Sequence, residues 1–208
     1  MARSKEPLQE LQEKYPEQVK PLVGDFADLS LGKKAVELAN GTWNRLDGLI
    51  VNHGVLNPVK RIADVDAEDW KVCFDINVFS AVAIIKAALP GLRQSKGKIV
   101  LVSSGAAVGA YATWGAYGAS KAALNHIAMT LAVEEPDITS ISIRPGTVDT
   151  NMQRDIREIH HTTMDKTDAE KFASLKAEGK LLRPDQPGHV IAKLSLDAPK
   201  DLNGHFLK

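Results

Sequence analysis

Cysteine is almost absent. Cys73 is the one thiol in 208 residues, which excludes an intrachain disulfide and any metal site built from several thiolates. No activating motif surrounds it, so it reads as a small buried hydrophobe rather than a nucleophile. Excess charge is lacking too: 26 basic residues balance 26 acidic ones. That removes any global argument for binding nucleic acid or an anionic membrane. No apolar run reaches the ~18 residues of a membrane span. Residues Met1 to Pro7 carry no hydrophobic segment of secretory type, and there are no internal repeats or low-complexity stretches. A soluble, cytoplasmic protein is the expectation, with residues 1–208 forming a single domain long enough for a real core.

What is present is an alternation of strand and helix signals. Residues 5–15 have helical spacing, with Leu8, Leu11 and Tyr15 on one side. Val19 to Val23 reads as a short strand ending at Gly24-Asp25, residues 29–44 as a helix, and Leu46 to Asn52 as a buried strand broken at Asn52-His53-Gly54. Asp66 suits an N-cap and Asp69 the first turn of a helix, which the spacing carries from about Trp70 to Leu89, stopping before Pro90-Gly91. Ile99 to Val102 is a further, fully apolar strand and Ile138 to Ile143 another strand, the two separated by an Ala-rich helix over 113–134. Residues 150–188 are more polar and read as a mobile excursion with one or two helices; Val190 to Leu196 and Gly204 to Leu207 close the chain as helix and strand. Strands alternating with long helices predict an α/β fold, a doubly wound parallel sheet with helices on both faces.

The chemistry concentrates in Tyr117-Gly118-Ala119-Ser120-Lys121. Residues four apart on a helix share a face, and a phenol, which titrates near ~10, needs a cation beside it to serve as an acid at neutral pH. Ser104 sits at the tip of the Ile99–Val102 strand. Hydride addition to a carbonyl builds negative charge on oxygen, so a site for it needs hydroxyl donors aimed there, and Ser104 and Tyr117 are two. Asp25, Asn52, Ser104 and Pro145 all fall at strand carboxyl ends, where open α/β sheets bind ligands.

Asn52-x-Gly54, Asn77 within Phe-Asp-Ile-Asn-Val, Ser104, Tyr117-x-x-x-Lys121 and Pro145-Gly146-Thr147-Val148-Asp149-Thr150, in this order, closely resemble the short-chain dehydrogenase/reductase family over nearly the whole chain. The segment Trp114 to His126 looks most like fungal members related to sepiapterin and benzil reductases. The resemblance implies a Rossmann-like fold and an NADP-dependent reduction of a ketone, aldehyde or diketone to an alcohol. Tyr117 would be the general acid/base, Lys121 would lower its pKa and hold the nicotinamide ribose, Ser104 would bind the substrate oxygen, and Asn77 would hold a proton-relaying water. Asn52 and Gly54 would line the adenosine-side ribose, with Asp25 at the adenine edge. Pro145, Gly146, Val148 and Thr150 would pack on the nicotinamide carboxamide. His53 stands where alanine is more usual. Arg3 and Ser4, where the family holds the 2′-phosphate, point to NADP. Residues 151–188 would be a substrate lid, and Trp114 lines the substrate pocket or packs in the core. Small-molecule carbonyl or alcohol substrates, no metal and a homodimer or homotetramer are the further implications. His160-His161 has no carboxylate or Cys at ligand spacing.

Against the family pattern, the first strand, the Gly-rich turn, the first helix and most of the second strand are not among these residues. A chain truncated at the N-terminus is therefore expected, with an open edge on the strand at Leu49 to Val51. Two readings stay open. One is an oxidoreductase. The other is a weak or inactive homologue serving as a scaffold that oligomerises through the helices at 70–89 and 113–134.

Overall fold

A computed structural model describes residues 1–208. Its centre is a four-stranded, all-parallel sheet in sequence order: β1 (Gly48–Val51), β2 (Lys98–Val102), β3 (Thr139–Ile143) and β4 (Phe206–Leu207). Gly48 to Val51 pair with Lys98 to Leu101, and Lys98 to Val102 with Thr139 to Ile143. Parallel neighbours need crossover helices. The chain supplies α3 (Ala67–Phe74) and α4 (Ser80–Ser95) between β1 and β2, and α5 (Gly115–Glu134) between β2 and β3.

The period of two along a strand divides the core into two layers. Ile99 and Leu101 of β2 face α4 and α5, packing with Leu49, Val51, Ile84, Leu92 and Leu124. Val100 and Val102 face the other way, with Ile141, Ile143 and Ile191. The last of these lies on α8 (Asp185–Asp197). Buried on both faces after Lys98, β2 and β3 are apolar or hydroxyl-bearing from Ile99 to Val102 and from Thr139 to Ile143, the signature of an internal parallel strand. The outer edge of β1 pairs with no strand, and Ile50 is left 43 % exposed there.

Three expectations are corrected. Val19–Val23 is not a strand: Val23 makes one isolated bridge, to Ala2, and Pro21 has no N–H to extend a ladder. The helix does not stop at Leu89. α4 continues through Pro90 to Ser95, where Lys96 adopts φ 51° and Gly97 N–H closes on Leu92 O at 2.9 Å. A mid-helix proline costs about 3 kcal/mol, but Leu92 beyond it is fully buried in the main core, and that packing holds the extra turn. The run Ala67–Ser95 is consequently 29 residues long and contains a stretch apolar enough to cross a membrane, although Lys86 interrupts it. Its inner face packs on α2 (Ser30–Trp43), β1 and α5, as a core helix does. The last helix starts at Asp185 rather than Val190, with Pro187 in its first turn, where a missing N–H leaves no bond unmade.

Between α3 and α4 the helix widens into one π-turn, Asp75–Phe79, with Asn77 at its middle. Such turns are rare and frequent at functional sites. Residues 151–188 are ordered into α6 (Asn151–Glu158), a 3₁₀ turn holding His160 and His161, and α7 (Lys166–Ala177), before α8 begins. Their apolar side chains Ile156, Met164 and Phe172 pack against Leu56, Trp114 and Tyr117, and a bridge between Val148 and Leu182 closes the base of the excursion.

Candidate active site

At the carboxyl ends of β1, β2 and β3 lies a cleft of about 920 Å³, lined by Ser104, Tyr117, Lys121, Asn52, Gly54 and the turn from Pro145 through Val148 to Thr150. A second cleft of about 360 Å³ continues from it along the open edge of β1, lined by Arg3, Asp25, Phe26 and His53. Asn52 and Gly54 border both. The structure thus brings together Ser104, Tyr117 and Lys121 in one cleft and Arg3 and Asp25 in the other. Ser4 lies outside both: it precedes α1 (Lys5–Lys14) at the N-cap position without a side-chain cap bond.

α5 positions the central pair. Tyr117 and Lys121 lie one turn apart and are 8 % and 3 % exposed. Lys121 Nζ sits 5.8 Å from the Tyr117 ring centroid and donates to Val102 O at 2.8 Å, so the end of β2 fixes the ammonium. Ser103 Oγ donates to Lys121 O at 3.1 Å, locking helix to strand. Trp114, one turn before Tyr117, meets its ring edge-on at 6.0 Å. The indole both lines the cleft and belongs to the packed cluster, so the two roles expected as alternatives coincide. Ser104 Oγ accepts from Ala106 N–H at 3.1 Å, which leaves its own proton free to donate outward.

Asn77 is sealed, and its amide is committed. Oδ1 accepts from Val55 N–H at 2.8 Å, while Nδ2 donates to Val55 O at 2.9 Å and to Ser120 Oγ at 3.0 Å. The π-turn aims this side chain at the backbone just beyond Gly54. One Oδ1 lone pair remains for a water.

Burial dominates the electrostatics of the site. Burial pushes the Tyr117 phenol above its ordinary range, with the Ser104 hydroxyl offsetting part of the rise. Burial also pushes the Lys121 pKa down to about 8. Both groups are desolvated together, and the ammonium is turned to the Val102 carbonyl. His53, standing where alanine is more usual, is built in. Its ring stacks on Phe26 at 3.6 Å and 7°, and Nε2 lies 2.6 Å from Ser80 Oγ. That hydroxyl gives its proton to Ile76 O, so Nε2 is the donor. Burial, followed by the Lys121 charge, pushes the imidazole down to about 4, which keeps it neutral at pH 7.

The sequence reading missed the far wall of the larger cleft: Tyr111, Met152, Gln153, Ile156 and Phe172. The one available signal was the spacing of Gln153 and Ile156, three apart in α6 and both buried.

Comparison with known proteins agrees with this geometry. The short chain dehydrogenase family model matches residues 1–161. An uncharacterized oxidoreductase of Saccharomyces cerevisiae is 43 % identical over 209 residues, covering 100 % of this chain and 82 % of the relative. A benzil reductase ((S)-benzoin forming) of the same yeast is 42 % identical, covering 100 % of this chain and 83 % of its own. The crystal structure of the KRED1-Pglu enzyme superposes with a TM-score of 0.96 at 40 % identity, over 99 % of this chain and 86 % of that one. With strand-end clefts, a Tyr-x-x-x-Lys helix and a parallel sheet of matching topology, the chain belongs to the short-chain dehydrogenase family of oxidoreductases, which use nicotinamide cofactors.

Proposed function

We propose that the chain reduces a carbonyl compound to an alcohol with NADPH, with Tyr117 as the general acid. The observation that carries this reading is the convergence of Ser104, Tyr117 and a buried Lys121 on one cleft at the strand ends.

The residues present fit the cofactor's shape. A side chain at Gly54 would bring its Cβ to 3.1 Å from Lys121 Nζ and 3.4 Å from Asn77 Oδ1, so glycine keeps that polar corner open to a ribose. Gly146, at φ +83°, holds the turn after β3, where a Cβ would meet Leu182 at 2.8 Å. Asn52 and Gly54 join the two clefts, so Pro145, Gly146, Val148 and Thr150 would hold the nicotinamide end, and Asp25 and Arg3 the adenosine end. Arg3 is exposed and makes no ion pair within the chain, which suits a 2′-phosphate and favours NADP over NAD.

When bound, the reduced nicotinamide supplies a hydride to the carbonyl carbon. Tyr117 gives its phenolic proton to the carbonyl oxygen, and Ser104 donates a hydrogen bond to that same oxygen as negative charge develops. The ammonium of Lys121 would stabilise the phenolate left behind, and solvent would restore the proton through a water donating a hydrogen bond to the free lone pair of Asn77 Oδ1. Ile156, Trp114 and Phe172 on the far wall exclude bulk water, which strengthens each of these interactions. On this reading residues 151–188 act as the lid that carries much of the wall. The half-exposed side chains Phe79 and Val82, at the end of the π-turn and the start of α4, and Met129 and the more exposed Val133 on α5 form outward apolar stripes, and favour a homo-oligomer built on these helices.

The test is direct. Purified protein with an aromatic α-diketone should consume NADPH, with a slower rate on NADH, and NADPH alone should stabilise it against heat by about 2–3 kcal/mol at a hundredfold excess over Kd. Absence of both stabilisation and turnover would leave the scaffold reading in its place.

A further inference from the structure

α6 turns one polar side chain toward the larger cleft. Gln153 is 4 % exposed and lines that cleft beside Ile156. Its orientation is fixed by chemistry. Oε1 accepts from Arg157 Nη1 at 3.0 Å, and a guanidinium has no acceptor to offer, so the amide oxygen must face Arg157 and the amide nitrogen must face away. That nitrogen donates to no protein atom, and it is not sealed from solvent. The same cleft carries Trp114 and Phe172, stacked at 5.4 Å. The helix itself is anchored: Thr150 Oγ1 accepts from Gln153 N–H. A nearly buried donor held in one orientation at the cleft wall marks a point where a ligand acceptor is recognised.

Building on the carbonyl-reduction reading, we propose that Gln153 is a specificity-determining residue whose Nε2–H binds a second oxygen of the substrate while Ser104 and Tyr117 take the reacting one. The substrates are then aromatic carbonyl compounds bearing a further oxygen acceptor, an α-diketone above all, in preference to a monoketone of the same shape. In the reaction one carbonyl carbon gains the hydride and its oxygen gains the Tyr117 proton. The oxygen held by Gln153 is left unreduced, and the product is an α-hydroxyketone. Sites built to hydrogen-bond a substrate group reject analogues lacking it, because the site's own polar atom is then left unpaired.

The experiment compares benzil with 1,2-diphenylethanone, which keeps both rings and lacks one oxygen. kcat/KM for each is measured with NADPH on wild type, Gln153→Leu and Gln153→Glu. The glutamate keeps the size and the bond from Arg157 but cannot donate, so it answers alone if the leucine variant does not fold. The inference predicts that the diketone-to-monoketone ratio falls at least tenfold in each folded variant, a comparison that cancels the intrinsic reactivities of the two ketones. A ratio unchanged within twofold overturns the role of Gln153 while the carbonyl-reductase reading stands. Wild type inactive on both ketones overturns that reading, and this inference falls with it.

Discussion

Tyr117→Phe is expected to lower kcat for ketone reduction by about 10³-fold, equivalent to roughly 4 kcal/mol of transition-state stabilisation, with little change in fold stability. On the proposed mechanism the phenol hydroxyl supplies the proton, and the phenylalanine ring keeps the rest. The edge-on contact with Trp114 and the packing against Ile156 and Phe172 involve only the ring. Far-UV circular dichroism and a urea midpoint should match wild type, and NADPH affinity should stay within a few-fold. Activity within tenfold of wild type would remove Tyr117 from the chemistry.

Lys121→Met separates function from stability more sharply. Activity should drop by about 10³-fold, because the buried ammonium no longer stabilises the phenolate. Stability at pH 7 should rise. Burial holds the Lys121 pKa at about 8, against 10.5 when exposed, an asymmetry of roughly 3 kcal/mol. The sign follows from proton counts: with the folded pKa depressed, the full cost of burying the charge is present below pH 8. It shrinks between pH 8 and 10.5, where the unfolded chain binds more protons, and it is gone above. Methionine removes that cost but forfeits the hydrogen bond to Val102 O, worth about 1 kcal/mol. The net gain is then about 1–2 kcal/mol at pH 7, and it should vanish near pH 10. Urea unfolding at the two pH values reads this out; a variant less stable than wild type at pH 7 would show that the ammonium is held favourably.

Such a trade between stability and chemistry is common at active sites, and it bears on what the sequence could disclose. The strands were legible because Ile99 to Val102 is apolar on both faces and Ile138 to Ile143 carries no charge, and short runs of that kind bounded by Gly, Pro and Asn have few other uses. Tyr117 and Lys121 were legible because helical spacing alone puts them on one face, and Ser104 because it follows a strand that had to be internal. Tertiary effects were not legible. Nothing local announces that Leu92 would carry α4 past Pro90, or that the turn at Asn77 would widen to reach Val55. The net shift of the Tyr117 pKa was not legible either. Spacing reports that a cation is near, but the direction of the shift depends on how deeply both groups are buried and where the ammonium points, here toward Val102 O. Gln153 and Phe172 were hidden in a polar segment whose helices gain their burial from Trp114 and Tyr117, far back in the chain.

The charge state of His53 illustrates the same point. Its neutrality comes from burial, to which the stack on Phe26 contributes, and from the Lys121 charge, groups on separate elements that border the two clefts.

The most direct measurement follows the hydrogen itself. Benzil is incubated with the protein and NADPH carrying deuterium at the transferable C4 position, and the product is examined by mass spectrometry and proton NMR. The account predicts benzoin with one deuterium on the carbinol carbon and an exchangeable proton on the new hydroxyl, formed by wild type and lost in Tyr117→Phe. Benzoin without deuterium at that carbon, or labelled equally by both proteins, would contradict it.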